Sequence, residues 1–165
     1  MLKTIVGVMG PGVKALPVDL QNAYQLGELI AQQGWVLLTG GRNVGVMDAA
    51  NQGAKAANGL TIGILPTAEP MEISEAVDIA ILTDLGNARN NINVLSSQVV
   101  IACGMGAGTA SEIALALKGN KKVILLNENL ESQQFFKHLS KDSIFIANCP
   151  RDAINIAQEI ISQPR

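Results

Sequence analysis

Apolar residues in this 165-residue chain follow two alternating rhythms. Short unbroken apolar runs predict strands near 3–9 (KTIVGVM), 35–39 (WVLLT), 60–65 (LTIGIL), 78–82 (DIAIL), 98–103 (QVVIAC), 122–126 (KVILL) and 143–146 (SIFI). Between them the apolar spacing widens to a helical period. The first helix is expected from Pro17 to about Gln33, with Pro17 in its opening turn and Gly34 as its stop. Leu20, Ala23, Gly27 and Ile30 form its apolar stripe. Further helices are expected near 45–57, 86–97, 109–118, 131–139 and 151–162, the last opened by Pro150 and Asp152. In the 86–97 segment, Ile92, Leu95 and Val99 make the apolar stripe, and Arg89 and Asn93 lie one turn apart on the other face.

The strands are too uniformly apolar for one wet face, which predicts a parallel sheet covered on both sides. Strand–helix alternation of this kind means a doubly wound α/β fold. The expectation is a single Rossmann-like ligand-binding domain over residues 1–165, with about seven mostly parallel strands and helices on both faces. The longest connection, 66–77 (PTAEPMEISEAV), is the expected mobile lid.

Composition narrows the functional classes. The chain is 48% apolar and 16% charged, with a net charge of −2 and no basic cluster, which argues against a nucleic-acid partner. No apolar run approaches the ~20 residues of a membrane span. The opening MLKTIVGVMG reads as a buried first strand rather than a secretion signal, so a cytoplasmic location is expected, with Cys103 and Cys149 as reduced thiols. One histidine and two cysteines speak against a structural zinc site, and no metal ligand is assigned. A mean hydropathy of +0.26 is high for a chain of this size and points to a subunit interface or to fully buried strands.

Candidate chemistry sits in three glycine-rich turns that follow strands: Gly7 to Gly12 (GVMGPG), Gly40 to Gly45 (GGRNVG) and Gly104 to Thr109 (GMGAGT). In such sheets ligands bind where these loops gather, at the carboxyl ends of the strands. A helix start has amides without internal partners and a partial positive charge. Glycine lets an anion come down onto them. Thr109 adds a hydroxyl and Arg42 a forked cation, so the predicted ligand is a phosphate or similar oxyanion. Gly7, Gly10 and Gly12 have the wrong spacing for a dinucleotide site, no acid ends the second strand, and no Walker-type lysine is present. Arg89 and Glu112 form a second constellation. Glu112, one turn into a helix opening at Thr109, is suited to hold a sugar or pterin N–H or to act as acid or base. The plainer alternatives are a solvated helix charge for Arg89 and a first-turn acid for Glu112. His138, Asp48, Asp78 and Asp84 read as surface or turn groups, and Cys103 as simply buried.

The motifs GGRxxGVM at 40–47, ARxNIN at 88–93 and GMGxGTxxE at 104–112 closely resemble those of the molybdenum cofactor carrier proteins, with likeness running over residues 3–139. That family shares a Rossmann-like superfamily with the cytokinin-activating "lonely guy" phosphoribohydrolases. The resemblance implies a protein that binds the molybdenum cofactor, a phosphate-bearing pyranopterin, as cargo, protects it and passes it to a molybdoenzyme or the insertion machinery. It also implies homodimers or homotetramers. Carried across, the cofactor lies over Gly10, Pro11 and Gly12, over Gly40, Gly41, Arg42 and Gly45, and over Gly104, Met105, Gly106, Ala107, Gly108 and Thr109, with Arg89, Asn93 and Glu112 close by. The enzymes of the superfamily use an arginine and a final glutamate to break an N-glycosidic bond, and this chain keeps both as Arg89 and Glu112. It departs from them in Gly104-Met105-Gly106, where they carry Pro-Gly-Gly, and in Asn90, where they carry lysine. A non-catalytic carrier is the first reading and a nucleoside 5′-monophosphate phosphoribohydrolase the alternative.

Overall fold

β1 (Ile5–Met9) leads into α1 (Pro17–Gln32), β2 (Val36–Thr39) into α2 (Gly45–Ala56), and β3 (Thr61–Leu65) runs to β4 (Ile79–Leu82) with no helix between. A 3-10 turn at Gly86–Arg89 and α3 (Asn90–Ser96) return the chain to β5 (Val99–Cys103). Then follow α4 (Ala107–Lys118), β6 (Lys122–Leu126), α5 (Leu130–Leu139), β7 (Ile144–Ala147) and α6 (Pro150–Ser162). This computed structural model describes residues 2–126 and 128–163. Every strand lies within two residues of its apolar run.

All strands pair in parallel, in the order β4-β3-β2-β1-β5-β6-β7. Alternate side chains of each central strand feed two cores. Val6, Val8, Val99 and Ile101 meet Leu26 and Ile30 of α1, Ala50 of α2 and Ile154 of α6. Met9, Val100 and Ala102 meet Val94 of α3, Ile113 of α4 and Phe136 of α5. Because strand order runs outward both ways from the β1–β5 pair, α1 and α4 leave to opposite faces. The crevice between their connections is the switch point at which open α/β sheets bind ligands.

α1 and α2 touch backbone to backbone. A Cβ on Gly27 would stand 2.0 Å from the Ala50 carbonyl oxygen, and one on Gly53 would stand 1.9 Å from that of Tyr24. This close packing holds the β1 and β2 turns in one rigid unit.

Four expectations need correcting. Leu20 and Leu95 are exposed, and Leu26 and Val94 take the buried positions. In the second case the 3-10 turn before α3 has three residues per turn, so it shifts the phase of the helix that follows. α4 opens at Ala107, two residues early, which places Thr109 inside its first turn. The 66–77 connection is not a free lid, since Arg42 and Ile73 form an antiparallel bridge and Ser74 and Ala76 are buried. Lastly, β4 is not covered: Ile79, Ile81 and Leu82 are 45%, 44% and 41% exposed, so neither face of this edge strand has a layer over it.

Candidate functional site

The β1, β2 and β5 turns meet at the switch point around a cavity of about 290 Å³. Gly10, Pro11 and Gly12 line it from the β1 turn, Gly40 and Arg42 from the β2 turn. Gly106, Ala107, Gly108, Thr109 and Glu112 line it from α4, and Arg89 from the 3-10 turn.

The N-terminus of α4 is the open one. Its first intrahelical bond runs from the Ala110 amide to the Gly106 carbonyl (2.8 Å), which leaves the Ala107, Gly108 and Thr109 amides ahead of the helical ladder. A Cβ on Gly108 would meet nothing within 4 Å, and one on Gly106 only the Pro11 ring at 3.7–3.8 Å. Thr109 is 2% exposed, and its Oγ1 is buried without a hydrogen-bond partner among the described residues. A buried hydroxyl left in that state costs about 1–3 kcal/mol unless a ligand supplies the acceptor.

The N-terminus of α2 is closed. The Val46 amide donates to the Pro11 carbonyl (3.0 Å), and Gly45 packs so tightly that a Cβ would lie 2.2 Å from the Gly12 oxygen. Gly41, at φ +75°, abuts Gly63, and its amide donates to Thr39 Oγ1 (3.0 Å), which in turn donates to Asn51 Oδ1 (3.1 Å). Gly41 and Gly45 therefore shape the turn from behind, and only Gly40 and Arg42 of that turn face the cavity.

Arg89 and Glu112 are both buried, at 9% and 8% exposure, so neither plain reading holds. Arg89 Nη1 donates to the Gly40 carbonyl (2.9 Å) and also to that of Ile64, which ties the carboxyl ends of β2 and β3 together. Burial lowers the Arg89 pKa, and the Glu112 carboxylate opposes that shift. Glu112 Oε1 accepts from Asn93 Nδ2 (3.0 Å). Burial pushes the Glu112 carboxyl up to about 7, against the Asn93 hydrogen bond and the Arg89 charge. Near neutral pH it can accept or donate a proton. Asn93 Oδ1 has no partner among the described residues.

The remaining predicted residues stand behind the cavity. Gly104 adopts φ +77°, its amide is held by Glu128, and a Cβ there would lie 2.6 Å from the Asp19 carboxylate. Met105 packs into the α3–α4 core. The Cys103 thiol is buried, donates to the Asp19 carbonyl (3.4 Å), and is driven far above the ordinary thiol range by burial. It is an inert thiol. Lys14, Met9 and Met47 also line the cavity and escaped the sequence reading. Met47 carried a legible signal, because helical side chains lean toward the N-terminus and a residue in the first turn of α2 overhangs the turn before it.

Arg42 is engaged from outside the cavity. Its Nη2 pairs with Glu72 of the β3–β4 connection, and the side chains are 38% and 60% exposed. Such pairs contribute about 0.2–1 kcal/mol.

Fold and cavity together define a class, a Rossmann-like domain whose switch point gathers an open helix start, a buried arginine and a buried carboxyl. The sequence pattern of the SLOG cluster 4 family spans residues 3–154, and the chain belongs to that family. The structure of the molybdenum cofactor binding protein from the phototrophic bacterium Rippkaea orientalis matches it with a TM-score of 0.97 at 65% identity, covering 98% of this chain and 99% of that one. The molybdenum cofactor carrier protein of Chlamydomonas reinhardtii matches with a TM-score of 0.94 at 48% identity, covering 98% and 100%. Within its family the chain therefore groups with the molybdenum cofactor carrier proteins. The cytokinin riboside 5′-monophosphate phosphoribohydrolase of Mycobacterium tuberculosis is 33% identical over 96 residues, 57% of this chain and 51% of that protein.

Proposed function

We propose that this protein binds the molybdenum cofactor as cargo, shields it and hands it to a molybdoenzyme or the insertion machinery, without catalysis. The observation that carries the reading is Thr109, a buried hydroxyl without a partner on the open first turn of α4, in a cavity that also holds Arg42 and Arg89. A terminal phosphate satisfies that hydroxyl and the amides of Ala107 and Gly108. Pro11 and the Met47 thioether offer apolar surface to a flat heterocycle, and Glu112 an acceptor for its N–H groups. The relatives from Rippkaea orientalis and Chlamydomonas reinhardtii, described as a binding and a carrier protein for this cofactor, support the choice of ligand. In this reading a single ligand-binding domain works in the cytoplasm. It assembles as a homodimer or homotetramer, and the uncovered apolar strand β4 supplies the contact surface. Among the described residues, no helix is long and apolar enough to cross a membrane.

The test is survival of the cofactor in air, assayed by reconstitution of a cofactor-free molybdoenzyme. Activity should persist for hours with the wild-type protein and decay far faster with Thr109→Val. That variant loses one hydrogen bond to a charged group, about 1.5–3 kcal/mol or roughly tenfold or more in Kd. The empty Thr109→Val protein should melt higher than wild type, because an unpartnered buried hydroxyl has been removed. Equal decay with and without wild-type protein would rule the carrier out.

A second reading rests on the buried Arg89 and Glu112 pair, with Glu112 titrating near neutrality. A phosphoribohydrolase would release free base from nucleoside 5′-monophosphates and lose turnover in Glu112→Gln. Absence of base release across a panel of monophosphates dismisses it.

A further inference from the structure

Two arginines reach the cavity, and they are held in opposite ways. Arg89 is buried and bonded to two main-chain carbonyls, so its charge is fixed in the scaffold. Arg42 is half-exposed and engaged by a single carboxylate, that of Glu72, thirty positions further along the chain.

Glu72 is delivered to Arg42 by the main chain. The Asn43 amide donates to the Glu72 carbonyl (2.8 Å), and the Ser74 amide donates to the Gly41 carbonyl (2.9 Å). Between those bonds Arg42 and Ile73 form an antiparallel bridge. The strap is laid along the β2 turn in register. Glu72 itself sits at φ +51°, in the left-handed region that residues with a Cβ rarely occupy. A glycine would adopt that conformation without strain. The strap instead carries a carboxylate there, paired with the half-exposed Arg42.

We infer that Glu72 determines which anions this site admits: it occupies Arg42 in the empty protein and is exchanged for the phosphate of an incoming ligand. The inference rests on the proposed phosphate seat at α4. A carboxylate tethered by a short segment competes at an effective concentration in the millimolar range. Free monoanions such as acetate, which match Glu72 in charge and geometry, cannot displace it below that concentration. A phosphate dianion brings more charge and a third oxygen, and it is held at the same time by the α4 amides and Thr109. Selectivity thus comes from a built-in competitor as well as from attraction.

The experiment titrates inorganic phosphate and acetate, at constant ionic strength, into wild type, Glu72→Gln, Glu72→Gly and Arg42→Ala, reading the amide shifts of Ala107 to Thr109 by NMR. Glu72→Gly retains a backbone suited to the left-handed strap, so a response shared by both Glu72 variants belongs to the carboxylate. In both, phosphate should bind about 3-fold tighter, the scale of one exposed ion pair, and acetate should gain more, narrowing the preference for phosphate. In an Arg42→Ala background, Glu72→Gln should change nothing further. The inference is overturned if removing the carboxylate weakens phosphate binding or leaves both anions unchanged while Arg42→Ala still weakens phosphate. If phosphate shifts no α4 amide in wild type or any variant, the phosphate seat itself falls and takes the inference with it.

Discussion

Glu112 reaches the cavity from the second turn of α4, with one oxygen held by Asn93 and Arg89 nearby. Its carboxyl titrates at about 7, where an unfolded chain releases the proton near 4.5. Between those values the folded protein holds a proton that the unfolded one has lost. The resulting stability is present in full below about 4.5 and is lost as pH rises through 7, on the order of 1–3 kcal/mol. Glu128, raised to about 7 by burial and by the Asp19 charge, tilts stability in the same direction. Thermal melts from pH 5 to 8 should therefore show a falling midpoint. Glu112→Gln, which keeps the acceptor for Asn93 and cannot ionise, should flatten that fall by about 2–6 °C. Parallel slopes for the two proteins would remove Glu112 as a buried titrating group. The residue types at Arg89, Thr109 and Glu112 were legible as candidate chemistry. Their burial was not, because an arginine or glutamate on a helix is exposed by default and only packing against β2, β3 and α3 dries these two.

At the scale of elements, the glycine turns divide into contact and scaffold. Gly10 and Gly108 look equivalent in the sequence, each in a turn that follows a strand. A Cβ on Gly10 would lie 2.3 Å from the Cys103 carbonyl oxygen and 2.6 Å from Val46 Cγ1, so Gly10→Ala forces backbone apart at the β1–β5 crevice. That should cost about 1–3 kcal/mol, visible in denaturant unfolding. Gly108→Ala meets open space and removes a glycine from a helix, so it should be neutral or stabilising by up to about 0.5–1 kcal/mol. The same methyl intrudes on the α4 amides, so cofactor retention should drop although the fold is intact. If both variants destabilise alike, the partition is wrong. Strand positions were readable because fully buried parallel strands are continuous apolar runs. The early start of α4 and the phase of α3 were less so, since Ala, Gly and Asn sequences set helix ends only weakly.

On the scale of the whole molecule, β4 is the uncovered apolar surface. Ile79, Ala80, Ile81 and Leu82 have the composition of a strand buried on both faces, yet all four are exposed, and Leu85 beyond them is 49% exposed. Charged or bulged edges are the usual protection against pairing with another chain, and this edge has neither. The oligomer proposed above would place a second copy over this edge. Light scattering should give at least a dimer for wild type, and Ile79→Glu with Ile81→Glu should shift it to monomer with the helical circular dichroism retained. A monomeric wild type would end that proposal.

The order of strands and helices, the parallel sheet and the three glycine turns at one edge were determined by the sequence alone, because hydrophobic period and turn chemistry are local properties. Which turn stays open and which is closed by a neighbour's carbonyl was decided only in three dimensions. So were the drying of Arg89 and Glu112 and the meeting of Arg42 with Glu72. Each depends on groups at least nineteen positions apart (Asn93 to Glu112), and thirty in the case of Arg42 and Glu72. No local pattern records a distance that the assembled sheet alone imposes.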